Sequence, residues 1–113
     1  MKLQAWIYVL PMAGRDTGAV IAQVAEMKAA LDPLLERGVF AGWRIFSLLT
    51  DDDFDDKDVD REFVEPITGG ELPAVFLNIT YDLERNSPGD PQVEAFLDRT
   101  GLVHSFTDPP VSD

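Results

Sequence analysis

Carboxylates are the reactive groups that this sequence concentrates most strongly. Nine of the residues from 51 to 65 are Asp or Glu, and only two are basic. Carboxylate oxygens bind hard cations such as Ca²⁺, and they are also attracted to the basic surfaces of other proteins. Like charges this close repel one another by up to about 1 kcal/mol per neighbouring pair at low salt. This energetic cost indicates that another interaction compensates for the repulsion among the carboxylates.

Three interpretations of the acidic run stay open. The first is a solvated loop that aids solubility, because charge runs are usually wet surface. The second is a Ca²⁺ site, since four acids fall at positions 1, 3, 5 and 12 of an EF-hand loop, although Asp56 stands where that loop needs glycine. The third is a docking surface for a basic protein partner. The four EF-hand matches are Asp51, Asp53, Asp55 and Glu62.

Our leading hypothesis is the docking surface. In size and charge the chain resembles three groups of small acidic binders, namely immunity proteins, anti-CRISPR proteins and DNA-mimic proteins. That resemblance implies a non-enzymatic protein that occupies a basic, nucleic-acid-binding surface and inhibits its partner by occlusion. The residues predicted to contact the partner are Asp51, Asp52, Asp53, Phe54, Asp55, Asp56, Asp58, Asp60, Glu62, Asp82 and Glu84.

The overall composition excludes several other function classes. A net charge of -12 over 113 residues disfavours direct binding to nucleic acid or to anionic membranes. With no cysteine and one histidine, the chain lacks the ligands for a Cys-type zinc site or a His-rich metal centre, and we expect no cofactor. No apolar run approaches 18 residues, so we expect a cytoplasmic protein.

Few residues outside the acidic run suggest catalysis. The loop at residues 14–18 precedes a predicted helix, where anions can bind, but it lacks both the P-loop and the dinucleotide-binding spacing. His104 shares a predicted strand face with Leu102 and Phe106, which is typical of a structural histidine. We therefore expect no enzyme, and a small catalytic domain remains an alternative together with Ca²⁺ binding.

The elements that position these residues follow from hydrophobic periodicity. Alternating apolar residues predict strands at 3–10, 39–50, 74–81 and 102–107, with a bulge at Gly42. In the first strand, Ile7 and Val9 share one face and Trp6 and Tyr8 the other, as in a strand that is covered on one side.

Two helices are predicted between these strands. The first begins at Asp16 or Thr17, is interrupted by Pro33 and ends at Gly38. The second begins after Asp90, and its predicted buried residues are Val93, Phe96 and Leu97.

This order of elements predicts an α+β, ferredoxin-like two-layer sandwich (β-α-β-β-α-β) with an acidic insertion at 51–71 between strands 2 and 3. A thioredoxin-like arrangement is the alternative. Residues 1–107 form the predicted domain, and residues 108–113 form a flexible tail. The stretch 72–80, LPAVFLNIT, resembles a strand of phage tail-terminator proteins, which implies a phage or virion assembly subunit as a further alternative. A homodimer also stays open.

Overall fold

One antiparallel sheet organises the chain, which has a mixed α+β architecture. The computed structural model describes residues 2–56, 59, 61–107 and 111–112. In chain order the elements are β1 (Lys2–Pro11), α1 (Thr17–Glu36), β2 (Gly42–Leu48), α2 (Asp52–Asp56), α3 (Arg61–Thr68), β3 (Ala74–Asp82), α4 (Pro91–Thr100), β4 (Val103–Thr107) and β5 (Val111–Ser112).

The strand order in the sheet is β2-β3-β1-β4, and every neighbouring pair is antiparallel. β5 pairs with the start of β1, where Ser112 lies opposite Lys2 and Val111 opposite Leu3. Val111 and Ser112, which the sequence placed in a flexible tail, therefore belong to the sheet. They can do so because β1 already begins at Lys2 and its first residues are available for pairing. Residues 108–110 and 113 lie outside the described residues.

The irregularity in strand pairing lies in β1 rather than in β2. The register between β1 and β4 shifts between Ile7 and Tyr8. Gly42, where the sequence predicted a bulge, pairs with Thr80 in regular register as the first residue of β2. That prediction is wrong, because this glycine marks the start of the strand.

Helix α1 begins where the sequence predicts. The Asp16 carboxylate accepts the backbone N–H of Ala19 at 2.7 Å, so Asp16 is the N-cap and the loop at 14–18 includes an ordinary capped turn. Pro33 lies inside the helix without dividing it, so the helix does not restart there. None of the helices in the described ranges combines the length and the apolar character needed to cross a bilayer.

The end of α1 requires a glycine. The N–H of Gly38 donates to the carbonyl of Leu35 at 3.0 Å, and the N–H of Val39 donates to that of Leu34 at 3.2 Å. These two bonds form a Schellman motif, which needs a left-handed residue after the helix. Gly38 meets that need with a φ of 76°.

The structure confirms the predicted boundaries of helix α4, which begins after Asp90 and ends at Gly101. The Asp90 carboxylate accepts the N–H of Gln92 at 2.8 Å, and Pro91 occupies the first helical position. Gly101 ends the helix with a φ of 78°. The residues predicted to be buried, Val93, Phe96 and Leu97, are all buried.

The first face of the sheet is covered by α1 and α4. Alternate residues of β3 point to this face, as the sequence predicts, and Tyr8 and Trp6 of β1 join them. These side chains form the larger core cluster with Val20, Met27 and Leu31 of α1. The β3 residues in this cluster are Val75, Leu77, Ile79 and Tyr81.

The second face of the sheet is covered as well, by the acidic insertion. Ile7 and Val9 of β1 and Phe76 of β3 form a separate cluster with Phe54 of α2 and Val64 of α3. The sequence predicted one covered face and left a solvated loop as one interpretation of the insertion, whereas the structure covers both faces and packs the insertion on the sheet. The insertion folds because Phe54, Val59 and Val64 pack on this face and cover its apolar strand side chains.

Replacement of Phe54 by alanine tests how strongly the insertion is anchored. Phe54 is only 5% exposed, so Phe54→Ala should lower the free energy of unfolding by about 3 kcal/mol, through lost burial and a residual cavity. Urea denaturation measures this change.

Asp55→Ala is the matched control, because Asp55 is the exposed neighbour on the same helix. It should change the free energy of unfolding by less than about 0.5 kcal/mol. Equal stabilities for the Phe54→Ala and Asp55→Ala variants would show that the insertion does not pack on the sheet.

Candidate functional site

The start of the acidic segment is fixed to the end of β2 by Asp53. Its Oδ2 atom accepts the backbone N–H of Leu49 at 2.6 Å and that of Thr50 at 3.1 Å. These donors precede helix α2, where backbone N–H groups lack partners within the helix. Asp53 therefore serves the local fold, although the sequence placed it among the partner contacts.

Arg61 joins the two short helices of the segment. Its guanidinium carbon lies 4.3 Å from the centre of the Phe54 ring, and its Nη2 atom lies 3.1 Å from the Asp51 Oδ1 atom. The cation–π contact contributes about 0.5–1 kcal/mol at such a site, and an exposed ion pair contributes less than about 1 kcal/mol. Sequence reasoning missed this role, although Arg61 is one of only two bases in the run.

Phe54 was predicted to contact a partner, and the structure places it elsewhere. Its side chain is buried in the second core cluster together with Val59 and Val64. A buried ring in the protein core offers no contact area to another molecule. Phe54 thus anchors the segment in the core.

The remaining acids of the segment form an exposed array. Asp52, Asp55 and Asp56 of α2 are exposed, as are Glu62 and Glu65 of α3. Asp51 is exposed too, with its side chain 77% accessible beside Arg61. The predicted contacts Asp58 and Asp60 lie outside the described residues. We call the following set the α2–α3 acidic surface: Asp51, Asp52, Asp55, Asp56, Glu62 and Glu65.

Asp82 and Glu84 do not belong to this surface, although the sequence grouped them with it. The acidic segment follows Leu48, which pairs with Ala74 at the start of β3, whereas Asp82 is the last residue of that strand. Eight residues of extended chain separate the two ends by about 26 Å. That distance exceeds two Debye lengths at physiological salt, so the two charge groups act separately.

Asp82 has a structural role at its own end of the sheet. Its side chain is buried, and its Oδ1 atom accepts the N–H of Glu84 at 3.1 Å. Its backbone N–H donates to the Oδ1 atom of Asn86 at 2.8 Å. These bonds close the turn after β3, in which Glu84 and Arg85 are both exposed.

The carboxylates that match an EF-hand loop in the sequence are not arranged around a common cation site in the structure. Asp51 lies beside Arg61, and Asp53 binds backbone N–H groups, so at least two of the four matching carboxylates already have partners. Among the residues that the structure describes, no three His, Cys, Asp or Glu side chains are grouped so that they could hold a metal ion.

Two buried tyrosines lie under the first face of the sheet. Burial, and after it the neighbouring Tyr81 and Glu94, raise the pKa of Tyr8 well above its usual value of 10. Burial, followed by the carboxylates of Glu94 and Asp90, raises the pKa of Tyr81 to about 12. The Tyr81 hydroxyl has no hydrogen-bond partner among the described residues.

His104 is only partly described. Its backbone lies in β4 opposite Tyr8. The surroundings of its side chain, and with them the predicted structural role, fall outside the described residues.

Comparison with known proteins assigns no family to the chain. No protein-family model, no curated protein and no solved structure matches it.

The two tyrosines give a pH-dependent prediction. Because the folded protein holds their protons more tightly than the unfolded chain does, their contribution to stability is complete below pH 10 and is lost as the pH rises toward 12. The slope is at most about 1.4 kcal/mol per pH unit for each tyrosine. An ultraviolet titration of tyrosinate should find little ionisation in the folded protein at pH 10.5, and half ionisation near pH 10 in guanidinium chloride.

Tyr81→Phe is the control for this titration. The chain has two tyrosines, so in this variant Tyr8 is the only one that titrates. The remaining signal should still appear well above pH 10. Ionisation of either tyrosine near pH 10 in the folded protein would contradict their burial.

Proposed function

We propose that this chain is a small, non-enzymatic binding protein that docks its α2–α3 acidic surface on a basic, nucleic-acid-binding surface of a protein partner. Inhibition follows because the bound protein covers the surface that the nucleic acid would use. The partner is a basic protein, and neither nucleic acid nor a membrane is bound directly. One observation carries the proposal: exposed carboxylates stand on two helices that bury Phe54 and Val64 in the second core cluster.

Anchoring matters because it lowers the entropic cost of binding. A mobile acidic loop loses conformational freedom when it docks, at about 1–2 kcal/mol for the backbone of each residue that becomes fixed. Phe54 and Val64 are buried against the second face of the sheet. The backbone of both helices is therefore held in place before the partner binds. The partner then meets an ordered array of charge.

The charge of the segment supplies steering and specificity. Residues 51–65 carry a net charge of -7. A concentrated negative field speeds association with a basic surface and disfavours acidic competitors. The same field makes the affinity depend on salt, because exposed charges are screened over about 10 Å at 0.1 M ionic strength.

We also infer that the sheet and the helices α1 and α4 form a ferredoxin-like sandwich. The strand order β2-β3-β1-β4, antiparallel at each step, supports this inference, as does the position of both helices on one core cluster. In this description α2 and α3 are an insertion that adds a partial third layer.

Charge reversal tests the proposed function. The variant Asp52→Lys/Asp55→Lys/Asp56→Lys reverses three exposed acids of α2. Affinity capture from lysate of the source cell should recover a basic protein with the wild-type chain and lose it with this variant. With that protein purified, association should slow at least tenfold while dissociation changes less.

The matched control reverses three exposed acids of α1 on the other side of the sheet, as Glu26→Lys/Asp32→Lys/Glu36→Lys. This control changes the net charge by the same amount as the α2 variant, and it should still capture the basic protein. Equal losses in the two variants, or an affinity indifferent to salt between about 50 and 200 mM, would refute docking through the α2–α3 acidic surface.

A further inference from the structure

A groove lies between α4 and the sheet, on the face opposite the α2–α3 acidic surface. Its volume is about 270 Å³, enough for one extended side chain. Two aromatic and two aliphatic residues form its walls, and two carboxylates from α4 complete the lining. The six residues are Trp6, Tyr8, Leu97, Leu102, Glu94 and Asp98.

The aromatic wall is held rigidly. The Trp6 indole N–H donates to the side-chain oxygen of Gln4 at 2.9 Å. On its other side the indole packs edge-on against Tyr81, with ring centres 5.7 Å apart and an angle of 73°. Tyr8 beside it is buried. The orientation of the indole is thus set before any ligand arrives.

The carboxylates lie together on one side of α4. Glu94 and Asp98 are four residues apart, so they are neighbours on the helix surface, and both are exposed. The basic residue that follows them does not neutralise the groove. Arg99 lies with its guanidinium carbon 6.0 Å from the Phe96 ring, and both residues line a different cavity, between α1 and α4.

This combination of groups selects an organic cation. The partly exposed face of Trp6 attracts cations, and carboxylates bind guanidinium groups through paired hydrogen bonds. The buried residues Tyr8, Leu97 and Leu102 form the floor of the groove, which is apolar beneath the alkyl stem of a long basic side chain. A flat guanidinium group also stacks on an indole better than a compact ammonium group does.

We propose that the groove binds the side chain of an arginine from a protein partner, with its guanidinium group between Trp6 and the carboxylates of Glu94 and Asp98. Free arginine fits less well, because its own carboxylate is repelled by these acids. The site is separate from the α2–α3 acidic surface, so either proposal can fail while the other holds.

A titration of the full-length chain with small probes tests this site. The indole N–H signal of Trp6 is followed by nuclear magnetic resonance, and it is assigned by its presence in Trp43→Phe or by its loss in Trp6→Phe, whichever variant folds. N-acetyl-arginine amide should shift it saturably, with a Kd on the order of 1 mM. The neutral isostere N-acetyl-citrulline amide should bind at least tenfold more weakly, as should N-acetyl-lysine amide and free arginine.

Neutral isosteres of the two carboxylates provide the second arm. Glu94→Gln/Asp98→Asn should weaken binding of N-acetyl-arginine amide about tenfold. The matched control Glu36→Gln/Asp32→Asn, on exposed positions of α1, should leave it unchanged. Equal binding of the arginine and citrulline probes, or equal affinity in the two variants, overturns the site. If N-acetyl-lysine amide binds as tightly as N-acetyl-arginine amide, the groove is not selective for guanidinium. If free arginine binds more tightly than N-acetyl-arginine amide, the ligand is not an arginine side chain of a protein.

Discussion

Burial of the second sheet face is the constraint on which the rest of the structure depends. The central strands β1 and β3 carry apolar side chains on both faces, and α1 and α4 cover only one of them. Ile7, Val9 and Phe76 would otherwise be exposed to water on the other face. The segment between β2 and β3 supplies Phe54 and Val64 to cover them, and it does so from the two short helices α2 and α3.

That constraint explains how so acidic a segment can be ordered. Repulsion among its carboxylates favours an expanded chain, and the buried apolar side chains oppose it. Several acids also reduce the repulsion through local roles. Asp53 satisfies backbone N–H groups before α2, and Asp51 lies beside Arg61, which stacks on Phe54. The acids of the α2–α3 acidic surface, Asp51 included, stay exposed, and they are the ones that we propose for docking.

Local signals in the sequence predicted most of the framework and little of the site. Asp16, Asp90 and Gly101 mark helix ends through their own backbone chemistry, so these boundaries could be found from single residues. The role of Phe54 depends on a sheet face assembled from distant strands, which no local pattern reveals. The grouping of Asp82 with the acidic run failed for the same reason, because only the strand register shows that they lie at opposite ends of β3.

Amide hydrogen exchange of the free protein tests the central claim most directly. If the acidic segment is anchored on the sheet, the amide of Thr68, a buried residue in the last turn of α3, should be protected to nearly the same degree as the central residues of β3, because both open only with the core. Exchange of Thr68 at the rate of an unstructured peptide, while β3 stays protected, would contradict the account and leave the acidic segment as a solvated loop.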